Sequence, residues 1–426
     1  MWWEIKDHLE VKNGELYIAG HSAINLAEKF GTPIYVYNGV RVKENYRRFL
    51  NTLRKFSDRD VRIHYSMKAN SNPGILRILR EEDAWIDSVS PEEVKLAINC
   101  GFDEQKILFT GSSLSHEDLN EIRDIKLRVN VDSFSCLSKL IELGIKKELS
   151  FRIDPGIHGV GQGWRTITAG REAHGVPIKF SIPSDEVIHA IRFAMDNGYS
   201  IKGLQEHVGS NWVRKEEVDE FLEASRLLVK KAKEVEKELK VKLEFIDFGG
   251  GPGVRYSEDQ DDFPLEYYAS NIFKIAKDIE TDAIAFEPGR YIVADAGVLL
   301  VKVTDVKIRY GSIIIGVNSG FNHLIRPVLY GSYHEIVNCN RIGGDENQEA
   351  TVVGNLCETG DVFAVRRKIT KIKEGDILAI LNAGAYGYVM ASRYNLRKLP
   401  KEIVIMGSEC EVFEDEVIKK EKRYNL

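Results

Sequence analysis

Lys68, a run of three glycines and Glu287 have the residue types and settings that chemistry on a carbonyl-bearing, electron-withdrawing ring would need. Val61-Arg62-Ile63-His64-Tyr65-Ser66-Met67-Lys68-Ala69-Asn70 reads as a strand that delivers a lysine at its end. An amine attacks an aldehyde only when neutral, and burial lowers a lysine's pKa enough to permit this. Ile246-Asp247-Phe248 runs into Gly249-Gly250-Gly251. Backbone without side chains lets N–H groups crowd around a phosphate, and the Ser210 hydroxyl, after His207-Val208-Gly209, can join them. Glu287 closes the apolar run Ala283-Ile284-Ala285-Phe286, where a carboxylate needs a partner. Held against a ring nitrogen, it keeps that nitrogen protonated and makes the ring an electron sink. His207 can stack on the face of such a ring. Each residue also has an ordinary reading, as surface lysine, turn glycine, surface-turn glutamate or satisfied core histidine, so the elements that carry them matter.

From about residue 30 to residue 290, short β-branched runs alternate with helical stretches. The runs are Ile63–Met67, Trp85–Val89, Ile107–Thr110, Leu127–Val131, Leu149–Ile153, Ile201–His207, Leu243–Phe248 and Ala283–Phe286. Amphipathic helices are expected between them, among them Pro91–Asn99, His116–Ile122 and Glu216–Leu239. Eight strand–helix repeats predict a (β/α)8 barrel of the TIM type, whose chemistry gathers where strands end. Lys68, Asp87, Asn130, Arg152, His207, Gly249–Gly251 and Glu287–Arg290 stand at those ends. After Arg290 the rhythm changes. Ala296–Val306, Ser312–Val317, Val328–Val337, Thr351–Val353, Asp376–Ala383 and Glu402–Met406 read as strands of a C-terminal all-β domain. The expected division is a barrel over 30–290 and a β-domain over 291–426, joined by residues 1–29 through a strand at Leu16-Tyr17-Ile18. Gly156–Val176 reads as a long glycine-rich insert and Lys419–Arg423 as a solvated basic tail.

Composition excludes several classes. The 426 residues are 43% hydrophobic, with 59 Lys+Arg against 65 Asp+Glu, so no basic excess points to nucleic acid or a membrane surface. No apolar run approaches a membrane span and the N-terminus lacks the order of a signal peptide. The five cysteines, Cys100, Cys136, Cys339, Cys357 and Cys410, form no CxxC pair and read as reduced thiols of a cytoplasmic protein. No residues are assigned to a metal. The 29% of charged residues, with few Cys and Met, lean towards a heat-adapted source.

Six pieces in order resemble the fold-type III amino-acid decarboxylases: Tyr65-Ser66-Met67-Lys68-Ala69-Asn70, His207-Val208-Gly209-Ser210, Gly249-Gly250-Gly251, Glu287-Pro288-Gly289-Arg290, Cys357-Glu358-Thr359-Gly360-Asp361 and Gly384-Ala385-Tyr386-Gly387. Within that family Leu324–Glu335, with Arg326-Pro327 and Tyr330-Gly331, resembles the diaminopimelate-specific branch. The resemblance implies pyridoxal 5′-phosphate as cofactor, carried on Lys68 and contacted by His207, Ser210, Gly249, Gly250, Gly251, Glu287, Gly289, Arg290 and Tyr386. It implies substrate contacts from Arg290, Arg326, Tyr330, Glu358 and Tyr386. It further implies that Cys357 is the proton donor, and that Cys357 and Glu358 come from the second subunit of a homodimer with shared sites. An arginine fork suits the distal carboxylate of meso-diaminopimelate, and a glutamate its distal ammonium.

The match has departures. Asp154–Pro183 differs from the family loop, with Lys179-Phe180-Ser181 echoing its end; Asn211-Trp212, Asn318 and Arg393 replace other residue types. Decarboxylation of another amino acid, such as ornithine, arginine, lysine, a D-amino acid or a carboxylated polyamine, therefore stays open. A racemase of the same plan would place arginine where Glu287 stands. A non-enzymatic cofactor binder would lack the β-domain.

Overall fold

A computed structural model describes residues 1–161, 164–343 and 347–414. The basic stretch Lys419–Arg423 lies outside them. The chain divides into two compact units, Val42–Ala294 and Met1–Arg41 together with the residues from Asp295 onward.

Val42–Ala294 is a closed barrel of eight parallel strands: β1 (Asp60–Ser66), β2 (Trp85–Ser88), β3 (Ile107–Phe109), β4 (Arg128–Val131), β5 (Glu148–Asp154), β6 (Ser200–Gln205), β7 (Phe245–Asp247) and β8 (Ala283–Phe286). β8 closes the ring on β1, with Ala283 opposite Asp60 and Phe286 opposite Ile63. Each of the eight expected runs falls on one of these strands. The expected helices form at Pro91–Asn99, His116–Glu121 and Lys215–Leu239. Pro91 sits in the first turn of its helix and the Ser90 hydroxyl accepts the Glu93 N–H, which meets an otherwise unpaired helix-start donor.

The floor of the barrel is an ion network, not an apolar plug. Arg62 and Arg128 both reach Glu244, and Lys202 and Arg128 both reach Glu148. The Trp85 ring lies 4.6 Å from the Arg62 guanidinium and 5.8 Å from that of Arg128. Above it, inward polar residues continue: His64 and Ser66 on β1, Asp87 on β2, Asn130 on β4, Ser150 and Arg152 on β5, Gln205 on β6 and Asp247 on β7, all buried.

The insert after β5 is partly ordered by short pairings. Val160–Gly161 runs parallel to Gly209–Ser210, and Glu172–Ala173 pairs with Val176–Pro177. Gly209 is required here, because a Cβ would stand 1.4 Å from the Val160 carbonyl oxygen.

The other unit is sheet-rich. Ile34–Asn38 lies between Gly297–Arg309, antiparallel, and Lys401–Met406, parallel. Leu16-Tyr17-Ile18 does form a strand, but in a separate three-stranded sheet with Leu9–Lys12 and His21–Ser22. The expected strand Val328–Val337 is corrected: Arg326–Tyr330 is a short helix and only Ile336–Asn338 is strand. Pro327 fixes φ at a helix start, and Gly331, at φ +64°, ends the helix in the left-handed region. Val362–Thr370 and Glu409–Phe413 are further strands of this unit. No helix among the described residues is long and apolar enough to cross a membrane.

Candidate active site

β1 ends at Ser66 and a single 310 turn, Met67–Ala69, swings Lys68 over the barrel mouth. Lys68 Nζ lies 2.5 Å from Asp87 Oδ2 and 3.4 Å from Ser66 Oγ. The β1–β2 register sets Ser66 opposite Asp87. Ser66 donates to Asp87 Oδ2 at 2.8 Å and lies 3.0 Å from the Glu287 carbonyl oxygen. Glu93, on the helix after β2, accepts the Val89 N–H. Burial and the Asp87 charge push its carboxyl up to about 7.

Glu287, at the end of β8, is 3% exposed. Gln205 donates to its Oε2 at 2.9 Å, and its Oε1 has no hydrogen-bond partner among the described residues. Burial, then the Asp247 and Asp87 charges, raise its pKa well above the carboxylate range, against Lys68 and Arg152. A buried carboxyl with one spare oxygen is a waiting partner for a protonated ring nitrogen.

His207 follows β6. Its carbonyl oxygen accepts from Thr168 Oγ1 at 2.8 Å and Arg152 Nη2 at 3.3 Å. Desolvation, then the Arg152 and Lys68 charges, hold its imidazole well below the usual range, so the ring is neutral and suited to stacking on an electron-poor face. Its Nδ1 is buried without a hydrogen-bond partner.

The glycine run has two roles. A Cβ on Gly249 would stand 2.0 Å from the Glu206 carbonyl oxygen, one on Gly250 2.3 Å from that of Glu287, and one on Gly251 2.3 Å from the Trp212 ring. Close approach alone therefore demands glycine. Yet the Gly250 and Gly251 N–H groups donate no hydrogen bond among the described residues, so both remain available to an anion. Arg290 holds Ser210 Oγ at 3.2 Å and the Tyr256 hydroxyl at 2.9 Å. A Cβ on Gly289 would stand 2.9 Å from that of Ala69. Two unspent N–H groups, a hydroxyl, a guanidinium and an unpartnered buried carboxylate oxygen fit the phosphate and ring nitrogen of a pyridoxal group.

The remaining candidates belong to the sheet-rich unit. Cys357 and Glu358 are exposed on it. The Cys357 N–H donates to Asn395 Oδ1 and the Tyr394 hydroxyl donates to Glu358 Oε1 at 2.6 Å. Arg326 is 1% exposed; its Nη2 reaches Ser332 Oγ at 3.2 Å and its guanidinium lies 5.8 Å from the Tyr330 ring. Tyr386 adopts φ +55° and is partly buried. Two of the departures prove to be structural. Asn318 spends its side chain on Thr32 and the Lys302 N–H, and Asn211, at φ +70°, turns the chain so that its N–H and that of Trp212 meet the Gly251 carbonyl.

Sequence reasoning gave Ser66, Gln205, Asp247, His64 and Tyr256 no part in the site. The available signal was alternation: His64 and Ser66 share the inward face of β1 with the direction of Lys68.

Residues 40–294 match the family described as pyridoxal-dependent decarboxylase, pyridoxal binding domain. The chain belongs to the pyridoxal-dependent decarboxylases. Within them it is similar to diaminopimelate decarboxylases over nearly its whole length. It is 39% identical over 408 residues to the diaminopimelate decarboxylase of Methanothermobacter thermautotrophicus, covering 94% of this chain and 92% of that one. It is 30% identical over 435 residues to that of Methanocaldococcus jannaschii, covering 97% and 96%. Among solved structures, M. jannaschii diaminopimelate decarboxylase in co-complex with L-lysine superposes with a TM-score of 0.87 at 30% identity, over 96% of this chain and 95% of that one. The Helicobacter pylori enzyme complexed with L-lysine gives 0.80 at 30% identity, over 91% and 95%.

Proposed function

We propose that this chain binds pyridoxal 5′-phosphate and decarboxylates meso-diaminopimelate to L-lysine. The observation that carries the reading is one barrel mouth holding Lys68 against Asp87 and Ser66, a buried Glu287 with a spare oxygen, and unspent Gly250 and Gly251 N–H groups. The likeness to diaminopimelate decarboxylases supports the substrate.

When bound, pyridoxal phosphate supplies an aldehyde for an amine and a ring that accepts the electron pair left as carbon dioxide departs. This chain's residues do the rest. Lys68 gives up a proton before its amine can attack, and Asp87 and Ser66 are placed to hold that proton. Glu287 would keep the ring nitrogen protonated, steadied by Gln205. Ser210, Arg290 and the glycine N–H groups would hold the phosphate, and the neutral His207 ring would pack against the cofactor. Cys357 delivers a proton to the α-carbon, replacing the lost carboxylate. Arg326 with Tyr330 takes the distal carboxylate, Glu358 the distal ammonium, and Tyr386 contacts both substrate and cofactor.

The barrel is the cofactor domain; the sheet-rich unit, with the N-terminal segment, supplies substrate contacts. Cys357 and Glu358 are exposed on that unit, close in sequence to exposed Val365 and bonded to a segment holding exposed Tyr394 and Leu396. Exposed candidates bonded to a segment that carries two exposed large apolar side chains support a homodimer in which each copy completes the other's site. The five free cysteines support a cytoplasmic location. The test is direct: purified protein with pyridoxal phosphate is given meso-diaminopimelate, lysine, ornithine and arginine in turn. Carbon dioxide and L-lysine are expected from the first, and preference for any other would overturn the substrate.

A further inference from the structure

β1 carries a second buried polar residue below Lys68. His64 is 2% exposed and lies between the Trp85 ring, at 5.3 Å, and the Phe245 ring, at 6.4 Å. Its Nδ1 is 2.9 Å from Asp247 Oδ2, and Asp247 is fully buried. A carboxylate can only accept, so Nδ1 carries the hydrogen. The other ring nitrogen, Nε2, is buried without a hydrogen-bond partner among the described residues.

Asp247 passes this contact on. Its Oδ1 accepts the Gly249 N–H at 2.8 Å, an Asx turn that starts the glycine run. The Gly249 carbonyl oxygen then accepts the Glu287 N–H at 2.9 Å. One atom each of His64, Asp247 and Glu287 lie within 4.8 Å of one another. The groups that act on Glu287 are Asp247 from β7, Asp87 from β2, Arg152 from β5, Gln205 from β6 and Lys68 beyond β1.

We propose that His64 is a positioning residue: its Nδ1–H fixes the Asp247 carboxylate, which in turn sets the Gly249 turn and tempers the negative charge beside Glu287. Without that donor, Asp247 keeps only the Gly249 N–H among these contacts and presents a bare charge to Glu287 in a dry barrel. Glu287, already pushed up by burial and then by the Asp247 charge, favours its protonated form more strongly and grips a ring nitrogen less well. The ordinary alternative is that His64 simply fills space against Trp85; any side chain of similar shape would then serve. The three donor groups also have metal-ligand chemistry, but Asp247 already accepts two N–H donors and Glu287 already accepts Gln205.

The inference rests on the proposed pyridoxal phosphate site, and the test separates the two. Cofactor release from the holoenzyme is measured by equilibrium dialysis for wild type, His64→Phe and His64→Asn, with melting temperature and steady-state kinetics alongside. A wild type that holds no cofactor sinks the function and this inference with it; a wild type that holds it leaves the variants to decide this inference alone. His64→Phe, which keeps a ring but no donor, is expected to weaken cofactor binding about tenfold or more, as loss of a hydrogen bond to a buried charge implies. It should lower kcat while KM stays within about twofold. His64→Asn, whose amide restores a donor, should recover most of both. Should Phe not fold, His64→Leu replaces it; should neither fold, weakened cofactor binding by His64→Asn decides against the proposal. Wild-type cofactor affinity in a folded donorless variant would overturn it. So would equal losses in Phe and Asn variants, or a stoichiometric divalent metal in the purified wild type.

Discussion

Lys68 Nζ and Asp87 Oδ2 are 2.5 Å apart, and Ser66 donates to the same carboxylate oxygen. Asp87 and Ser66 come from neighbouring strands in fixed register, so the sheet itself helps to set the lysine's position. Borohydride reduction of the holoenzyme should therefore fix the cofactor on Lys68 alone. Peptide mass spectrometry checks this, and a label on any other lysine refutes the assignment.

Glu206 offers a test of stability independent of catalysis. It is buried with Oε1 bonded to Ser225 and Oε2 unpartnered among the described residues. Burial, with the Asp247 and Asp154 charges, pushes its carboxyl up to about 8. A raised folded pKa means its contribution is fully present below the unfolded value and is lost as pH climbs to about 8. Glu206→Gln keeps an acceptor for Ser225 and cannot ionise. It should gain little at pH ~4.5 but of the order of 3 kcal/mol at pH ~8. Urea unfolding at both pH values measures the difference; a gain that does not vary with pH contradicts this account.

Subunit mixing tests the proposed shared site. Lys68→Ala and Cys357→Ala homodimers should each be inactive. After exchange, mixed dimers carry one site with both defects and one with neither, so activity should return. Confirmed exchange with no recovery would place both residues in one subunit's site.

Arg326 separates substrate choice from folding. Arg326→Ala should cost about 10²-fold or more in kcat/KM for meso-diaminopimelate, because a carboxylate loses a bidentate partner in a partly dry site. Substrates without a distal carboxylate should lose much less. Arg326 also reaches Ser332 and is buried, so its melting temperature must be measured with the kinetics. An equal loss for all substrates, with a lower melting temperature, would make it a structural residue.

How far the chain could be read before its structure depended on distance along it. Ala283-Ile284-Ala285-Phe286 is a continuous apolar run, and a polar residue ending such a run stands out, so Glu287 is legible; Lys68 is legible because a lysine is no usual turn former at a strand end. Gln205 and Asp247 line the same barrel interior, but their partners are across the barrel, and no local pattern announces a contact between residues 205 and 287. Arg326–Tyr330 was misread because Val328, Leu329 and Tyr330 suit a strand, while Pro327 and Gly331 were the helix signals passed over. Val362–Thr370 was missed because exposed Val365, Arg366 and the charged Arg367-Lys368 interrupt its alternation. Ile34–Asn38 is buried throughout. Nothing local reveals that it joins a sheet built from residues beyond 296.

That last strand has a consequence for biosynthesis. Ile34–Asn38 leaves the ribosome hundreds of residues before either of its neighbours in the sheet, Gly297–Arg309 and Lys401–Met406. At ordinary elongation rates it waits of the order of tens of seconds for the second of them. The barrel, contiguous in sequence, can close during that interval, whereas an apolar strand with two open edges has nothing to pair with. The nascent chain is thus exposed to misassembly at this strand, and a holdase that covers Ile34–Asn38 would act while its partners are still being made.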